Sequence, residues 1–263
     1  MRILTLVKQV PDSNATIKLK PDGSGIVPDG LKLVMDPFDE FGVEVALQLR
    51  EKRNDVSEVV AMTLGGDKAA EALRVALAMG ADKGVHINDP ALESTDEVFA
   101  AHVVAAAVRK EAGAFDLIVC GKYNIDLDAG AFGPALAEFL ELPHVGAVQG
   151  LDVAADGKSL VARRRIEGAE EVVRCTLPAL LTIEKGLVEP RYPSLPNLMK
   201  AKKKPMSVWT AADLHVDASL KAGVALEAIE PPPPRAECRM IEGELPEMAK
   251  TLARLLREEA KVI

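Results

Sequence analysis

Through the first 145 residues, short apolar runs alternate with longer stretches of helical periodicity. RILTLVKQV, SEVVAMTLG, KGVHIN and DLIVCG are β-branched and nearly continuous in apolar character, the texture of strands buried on both faces. Between them, FGVEVALQLREK places Val43, Val45, Ala46 and Leu49 on one helical face with charges opposite. DKAAEALRVALAMG and DEVFAAHVVAAAVRKEA repeat the pattern, the former closing at Gly80 as a helix terminus does. Strands alternating with helices predict βαβ units, right-handed crossovers and a parallel sheet covered on both faces.

After Pro143 the period changes. The stretch from Val145 to Gly186 alternates apolar and polar residues around turn signals at ADGKS and EGAE, which predicts antiparallel strands added to or lying beside the sheet. Residues 186–205 have no period and are expected to form a loop. VWTAADLHV reads as a short strand entering a turn, with one helical turn over Ala211–Asp213. EPPPPRAE is a stiff polyproline spacer. Beyond it, ELPEMAKTLARLLREEAKV aligns Leu245, Met248, Leu252 and Leu255 on one stripe of an amphipathic helix. The expected organisation is an α/β domain over 1–185, a distinct segment over 186–205 and a C-terminal segment over 206–263. No internal repeat is present.

Composition narrows the function classes. The chain has 263 residues, 48% hydrophobic and 27% charged, enough for one large α/β domain with an appendage. Its net charge of −8 argues against bulk nucleic-acid binding. Cys120, Cys175 and Cys238 are odd in number and widely spaced, unlike a disulfide framework or a zinc site. No apolar run reaches the roughly 18 residues of a membrane span. MRILTLVKQVPD is interrupted by Lys8 and reads as a first strand, not a secretory leader, so a cytoplasmic location is expected. Against the acidic background, YPSLPNLMKAKKKP is anomalous. Leu195, Leu198 and Met199 run between prolines into Lys200, Lys202, Lys203 and Lys204, too basic for a core and too apolar for an ordinary surface loop.

In an open α/β sheet, ligands sit where strand carboxyl ends meet helix amino ends. Three junctions carry suitable residues: LGGDKAAEAL, GKYNIDLDAGAFGPALAEFL and MDPFDEFG. In the last, Asp36 is a natural N-cap, with Pro37 at the first helical position and Glu40 in the first turn. Asp126 and Asp128 form a carboxylate pair, but no third ligand or histidine stands at a metal-like spacing. No G-x-x-x-x-G-K-[ST], G-x-G-x-x-G after the first strand, or G-x-S-x-G occurs. His86, His102, His144 and His215 are scattered. A nucleotide-sized crevice without a catalytic constellation points to binding in preference to catalysis.

Several segments together resemble the beta subunits of electron-transferring flavoproteins. They are VKQVPD at 7–12, MDPFDEFGVEVALQLREK at 35–52, LRVALAMGADKGVHI at 73–87, GKYNIDLD at 121–128 and EPRYPSLPNLMKAKKKP at 189–205. They stand in the family's order and cover essentially the whole chain. The resemblance implies a doubly wound, Rossmann-like, adenine-nucleotide-binding fold in a heterodimer, with FAD held mostly by an alpha subunit and a structural AMP held here. It implies AMP contacts at Leu6, Asp36, Pro37, Phe38, Asp39, Leu64 and along the run Gly121, Lys122, Tyr123, Asn124, Ile125, Asp126, Leu127, Asp128, Ala129, Gly130, Ala131 and Phe132. It also implies that 186–205 is a recognition loop contacting acyl-CoA dehydrogenase-type flavoproteins. Leu195 would be the anchor, accompanied by Tyr192, Pro196, Met199, Lys200 and Lys203. Electrons would pass on to a membrane quinone oxidoreductase, and the terminal helix would dock on the alpha subunit.

Some positions depart from the pattern. Gly130-Ala131-Phe132 replaces a polar Asn-Gln-Thr run, so main-chain N–H groups are expected to take over the phosphate contacts. Ser13 stands where many members have a tyrosine, and Arg165 where better-known members have a glutamate. Electron-bifurcating members hold a second FAD in place of AMP, which gives one alternative. An ATP-dependent adenylating or hydrolysing enzyme on the same sheet is the alternative from another class.

Overall fold

The computed structural model describes residues 1–216, 221–235 and 237–263. The sheet grows outward from β1 (Arg2–Leu6), flanked by β4 (Glu58–Leu64) and β6 (Leu117–Gly121), both parallel to it. In register, Leu4 lies between Val60 and Ile118. The two-residue side-chain period of a strand then sorts these residues onto two faces. Ile3, Val59, Ala61, Leu117 and Val119 enter one buried cluster, while Leu4, Val60, Met62, Ile118 and Cys120 enter the other. Helices α1 (Pro37–Lys52) and α2 (Ala70–Met79) cover the first face, and α3 (Glu97–Lys110) and α4 (Phe132–Phe139) the second. The chain is thus doubly wound, as expected.

Among the described residues the sheet has nine strands, in the order β11-β5-β4-β1-β6-β10-β7-β8-β9. The expected meander after Pro143 is β7 (His144–Val153), β8 (Ser159–Ile166) and β9 (Ala169–Thr176), paired antiparallel. Strand β10 (Ala179–Ile183) leaves this pattern. All five of its residues are buried, and it lies parallel between β6 and β7, where both faces are covered. The long first run also divides. After Leu6 the chain leaves the sheet, and β2 (Gln9–Pro11) pairs with β3 (Leu33–Met35) in a separate ribbon.

Two C-terminal features differ from the sequence reading. Residues 195–201 are not loop but helix, α5 (Leu195–Ala201), with Ser194 accepting from the Asn197 N–H and a proline in the first turn. Only Ala201 is buried, so the helix carries no apolar stripe for periodicity to detect. Strand β11 (Met206–Trp209) pairs with β5 (Lys83–Ile87) at the sheet edge, so the segment beginning at residue 206 starts inside the α/β unit. It leads to α6 (Ala211–Leu214), opened by a Thr210–Asp213 capping box. One compact unit spans Met1–Ala228 and a second spans Ile229–Ile263. The second contains α7 (Leu245–Glu258), whose stripe of leucines is present but in which no residue is buried. No helix among the described residues is long and apolar enough to cross a membrane.

Candidate functional site

From β1 the chain builds toward β4 and β5 on one side and toward β6 and β10 on the other, so strand order reverses beside β1. Helices then leave on opposite faces, and their loops diverge above the strand carboxyl ends. A cavity of about 480 Å³ opens there. That volume lies within the ~300–1,000 Å³ of small-ligand sites. Its walls are the ends of β1, β4 and β6, the connection from β5 to α3, and the first turn of α4.

Two buried aspartates hold those loops together. Asp36, fully buried, caps α1 by accepting from the Phe38 N–H at 2.8 Å, and its other oxygen accepts from the Ile125 N–H at 2.8 Å. Asp39, 3% exposed, accepts from the Gly121 N–H at 2.8 Å through Oδ1. Its Oδ2 accepts from the Lys8 N–H at 2.8 Å and from Asn124 Nδ2 at 3.2 Å. Burial, and then the neighbouring Asp36, push the Asp39 carboxyl up to about 8, against the pull of its hydrogen bonds from Gly121 and Lys8. The start of α1 thereby clamps both the β1–β2 connection and the loop after β6. The ring of Tyr123 lies 4.4 Å from that of Phe38, and Lys8 pairs with Asp126 at 2.7 Å.

Of the residues expected to hold a nucleotide, Leu6, Asp39, Leu64, Gly121, Lys122, Tyr123, Asn124, Leu127, Gly130 and Phe132 line the cavity. Asp36, Pro37, Phe38, Ile125, Asp126, Asp128, Ala129 and Ala131 do not line it. Asp36 and Ile125 support the wall from behind, Asp126 answers Lys8, and Asp128 turns the chain with a φ of 51°. The sequence reading missed one wall altogether, residues 93–97. There the buried Asp96 caps α3 at the Val98 and Phe99 N–H groups (2.9 and 3.2 Å) and accepts from Gly223 and Val224 (2.7 and 3.1 Å). Burial alone would raise its carboxyl, but the four main-chain hydrogen bonds hold it below the ordinary range. Its neighbour Glu97 accepts from Ala131 and Phe132, 34 and 35 residues away. An aspartate before an apolar helix signals a cap, and that signal could have found Asp96. Nothing local could have found Glu97. Cys120 also lines the cavity, where burial pushes its thiol well up and away from nucleophilic reactivity. No group of three or more metal-ligating side chains occurs among the described residues.

A second feature lies at α5. Tyr192, Leu195 and Met199 are 97%, 79% and 63% exposed, and Pro196, Lys200 and Lys203 are at least partly exposed beside them. This apolar surface is held firmly from below. Arg191 donates to Glu44 at 2.8 and 2.9 Å and to Glu51 at 2.6 and 3.2 Å, joining the chain before α5 to α1. After α5, Lys204 turns inward, away from the rest of the basic run, and donates to the Leu77 and Ala81 carbonyls at the end of α2, at 2.9 and 2.6 Å. Burial alone would raise the Glu44 carboxyl, but the hydrogen bonds from Arg191 and Gln48 overcome it and leave it lowered. Arg191→Met is therefore expected to cost about 1–3 kcal/mol, since it strands a buried carboxylate. The contribution of Glu44 is present above its unfolded pKa, about 4.3, and is lost as pH falls through the lower folded value. Melting temperatures of wild type and variant should differ at pH 7 and converge below about pH 4. A gap that stays constant with pH would exclude this pairing as its cause.

Ser13 is exposed on the loop after β2, and Arg165 is exposed on β8, opposite Glu170 in register. A doubly wound sheet with a ligand-sized cavity at its switch point and carboxylates knitting the loops around it defines a Rossmann-like α/β protein. The electron transfer flavoprotein domain family matches residues 25–214. The chain is 38% identical to the electron transfer flavoprotein subunit beta of Bacillus subtilis over 100% of both chains. It is 39% identical to that of Sus scrofa over 100% of this chain and 99% of the relative. The human subunit is 41% identical over 89% of this chain and 90% of its own. The chain belongs to the electron transfer flavoprotein family as a beta subunit, an electron-carrier subunit. A beta subunit implies an alpha subunit, and the family implies association with flavin.

Proposed function

We propose that this chain holds an AMP in the switch-point cavity of a heterodimeric electron carrier and docks flavoprotein dehydrogenases of the acyl-CoA type through α5. The carrying observation is the cavity itself, about 480 Å³ at the reversal of strand order, where the amino ends of α3 and α4 meet. Thr63 supports the fit. It is 2% exposed on the cavity wall, and its Oγ1 has no hydrogen-bond partner among the described residues, so a bound nucleoside can satisfy it. Leu6, Leu64 and Leu127 offer apolar surface for a base, while Asn124 offers a polar contact. FAD, mostly bound by the alpha subunit, supplies one-electron transfer when present. This chain's residues position partners around it: Leu195 anchors the dehydrogenase, and Lys200 and Lys203 steer encounter with acidic surfaces. The C-terminal segment with α7 docks on the alpha subunit, and a membrane quinone oxidoreductase accepts the electrons. The complex acts in the cytoplasm, with no nucleic acid and no membrane insertion involved.

The test is the ratio of FAD to AMP released when the purified heterodimer is denatured. One FAD and one AMP per heterodimer is the expected result. Two FAD without AMP would replace this reading with electron bifurcation, and turnover of ATP by the complex would replace it with the enzyme alternative.

A further inference from the structure

The N–H groups at the start of α4 are the natural seat for an anion in this cavity, being unpaired within their own helix. Gly130-Ala131-Phe132 offers no polar side chain there, so a phosphate would depend on the main chain alone. Those donors are already engaged. The Ala131 and Phe132 N–H groups donate to Glu97 Oε2 at 2.5 and 3.0 Å. Glu97 reaches them from the first turn of α3, along the cavity wall, and its buried Oε1 has no hydrogen-bond partner among the described residues. A carboxylate with one buried oxygen unpaired is held less well than it could be. The wall adds further negative charge through Glu93 and Asp96; of its three lysines, Lys8 is engaged with Asp126 and Lys122 with Glu184, and Lys68 is exposed to solvent.

We propose that Glu97 is a specificity-determining residue of this cavity, an internal carboxylate that competes with a ligand's phosphate for the Ala131 and Phe132 N–H groups. The inference rests on the reading of the cavity as an adenine-nucleotide site. A nucleoside can occupy the cavity, with Thr63 as a partner, and leave Glu97 in place. A nucleoside monophosphate has to displace Glu97 or carry its charge toward it. Glu97 therefore holds the affinity for AMP down toward that for adenosine.

Isothermal titration of adenosine and AMP into the full chain, co-purified with its alpha subunit and stripped of nucleotide, tests this. Wild type should bind the two ligands with affinities within a few-fold of each other. Glu97→Gln keeps an acceptor oxygen for α4 and removes the charge. It should bind AMP at least about tenfold more tightly, with adenosine changed less than about twofold. Glu97→Asp keeps the charge but shortens the reach, and it should shift AMP in the same direction, which covers the case of a Gln variant that folds poorly. An AMP-to-adenosine ratio that is the same in wild type and the variants overturns the role of Glu97 while leaving the nucleotide site intact. Failure of every form to bind either ligand overturns the nucleotide reading and this inference with it.

Discussion

Leu195→Ala is expected to slow reduction of the carrier by a flavoprotein dehydrogenase about thirtyfold, through a loss of about 2 kcal/mol of apolar burial. Bound FAD and thermal stability should not change. The side chain is 79% exposed, so it contributes little to the fold and its value lies in what it can bury on a partner. Truncation removes apolar carbon worth roughly 0.8 kcal/mol per methylene. The effect is concentrated in one residue because its base is rigid. Arg191 ties the chain to α1 before α5, and Lys204 ties it to α2 after, so little ordering cost is left for the encounter. Lys200 and Lys203 are expected to act differently, on association rate and with strong dependence on salt. The measurement is KM for the carrier and the second-order rate of its reduction, at two ionic strengths. A rate equal to wild type at both would remove Leu195 from the interface.

The same region marks where sequence patterns stop informing. Strands β1, β4, β5 and β6 were legible because burial on both faces forces continuous apolar runs. Helix α5 was not, since its fixing contacts are polar and lie outside it, on Arg191 and Lys204. The parallel placement of β10 was hidden because an apolar run of five residues does not encode its neighbours. At the cavity, Asp36 could be read as a cap from local sequence. That Asp39 joins α1 to Gly121, and Glu97 joins α3 to α4, depends on topology and could not be read from it. The expectation at 130–132 turned on main-chain N–H groups in place of the missing polar side chains. It could not reveal that a glutamate already holds two of them.

Gly121→Ala is expected to destabilise the protein by about 3–5 kcal/mol, the sum of overpacking and lost buried hydrogen bonds. A Cβ at Gly121 would stand 2.7 Å from Phe38 Cβ, 2.8 Å from Asp39 Oδ1 and 2.9 Å from the Phe38 main-chain carbon. The last contact decides the outcome, because a backbone atom at the start of α1 cannot rotate away as a side chain can. The helix start must instead withdraw from the end of β6. That movement pulls Asp39 off the Gly121 N–H and weakens its hold on the Lys8 N–H and Asn124, leaving donors and a buried carboxyl unpaired. Asp36 sits on the same turn and bonds to Ile125, so the loop that walls the cavity loosens as well. Stability and ligand retention should therefore fall together, with a melting temperature lower by at least about 6 °C and less nucleotide recovered with the purified complex. Addition of AMP should restore only part of the lost stability, since binding cannot remove the overlap. A variant melting within about 2 °C of wild type would mean that α1 moves freely at this junction, and the aspartate clamp would then not be what shapes the site.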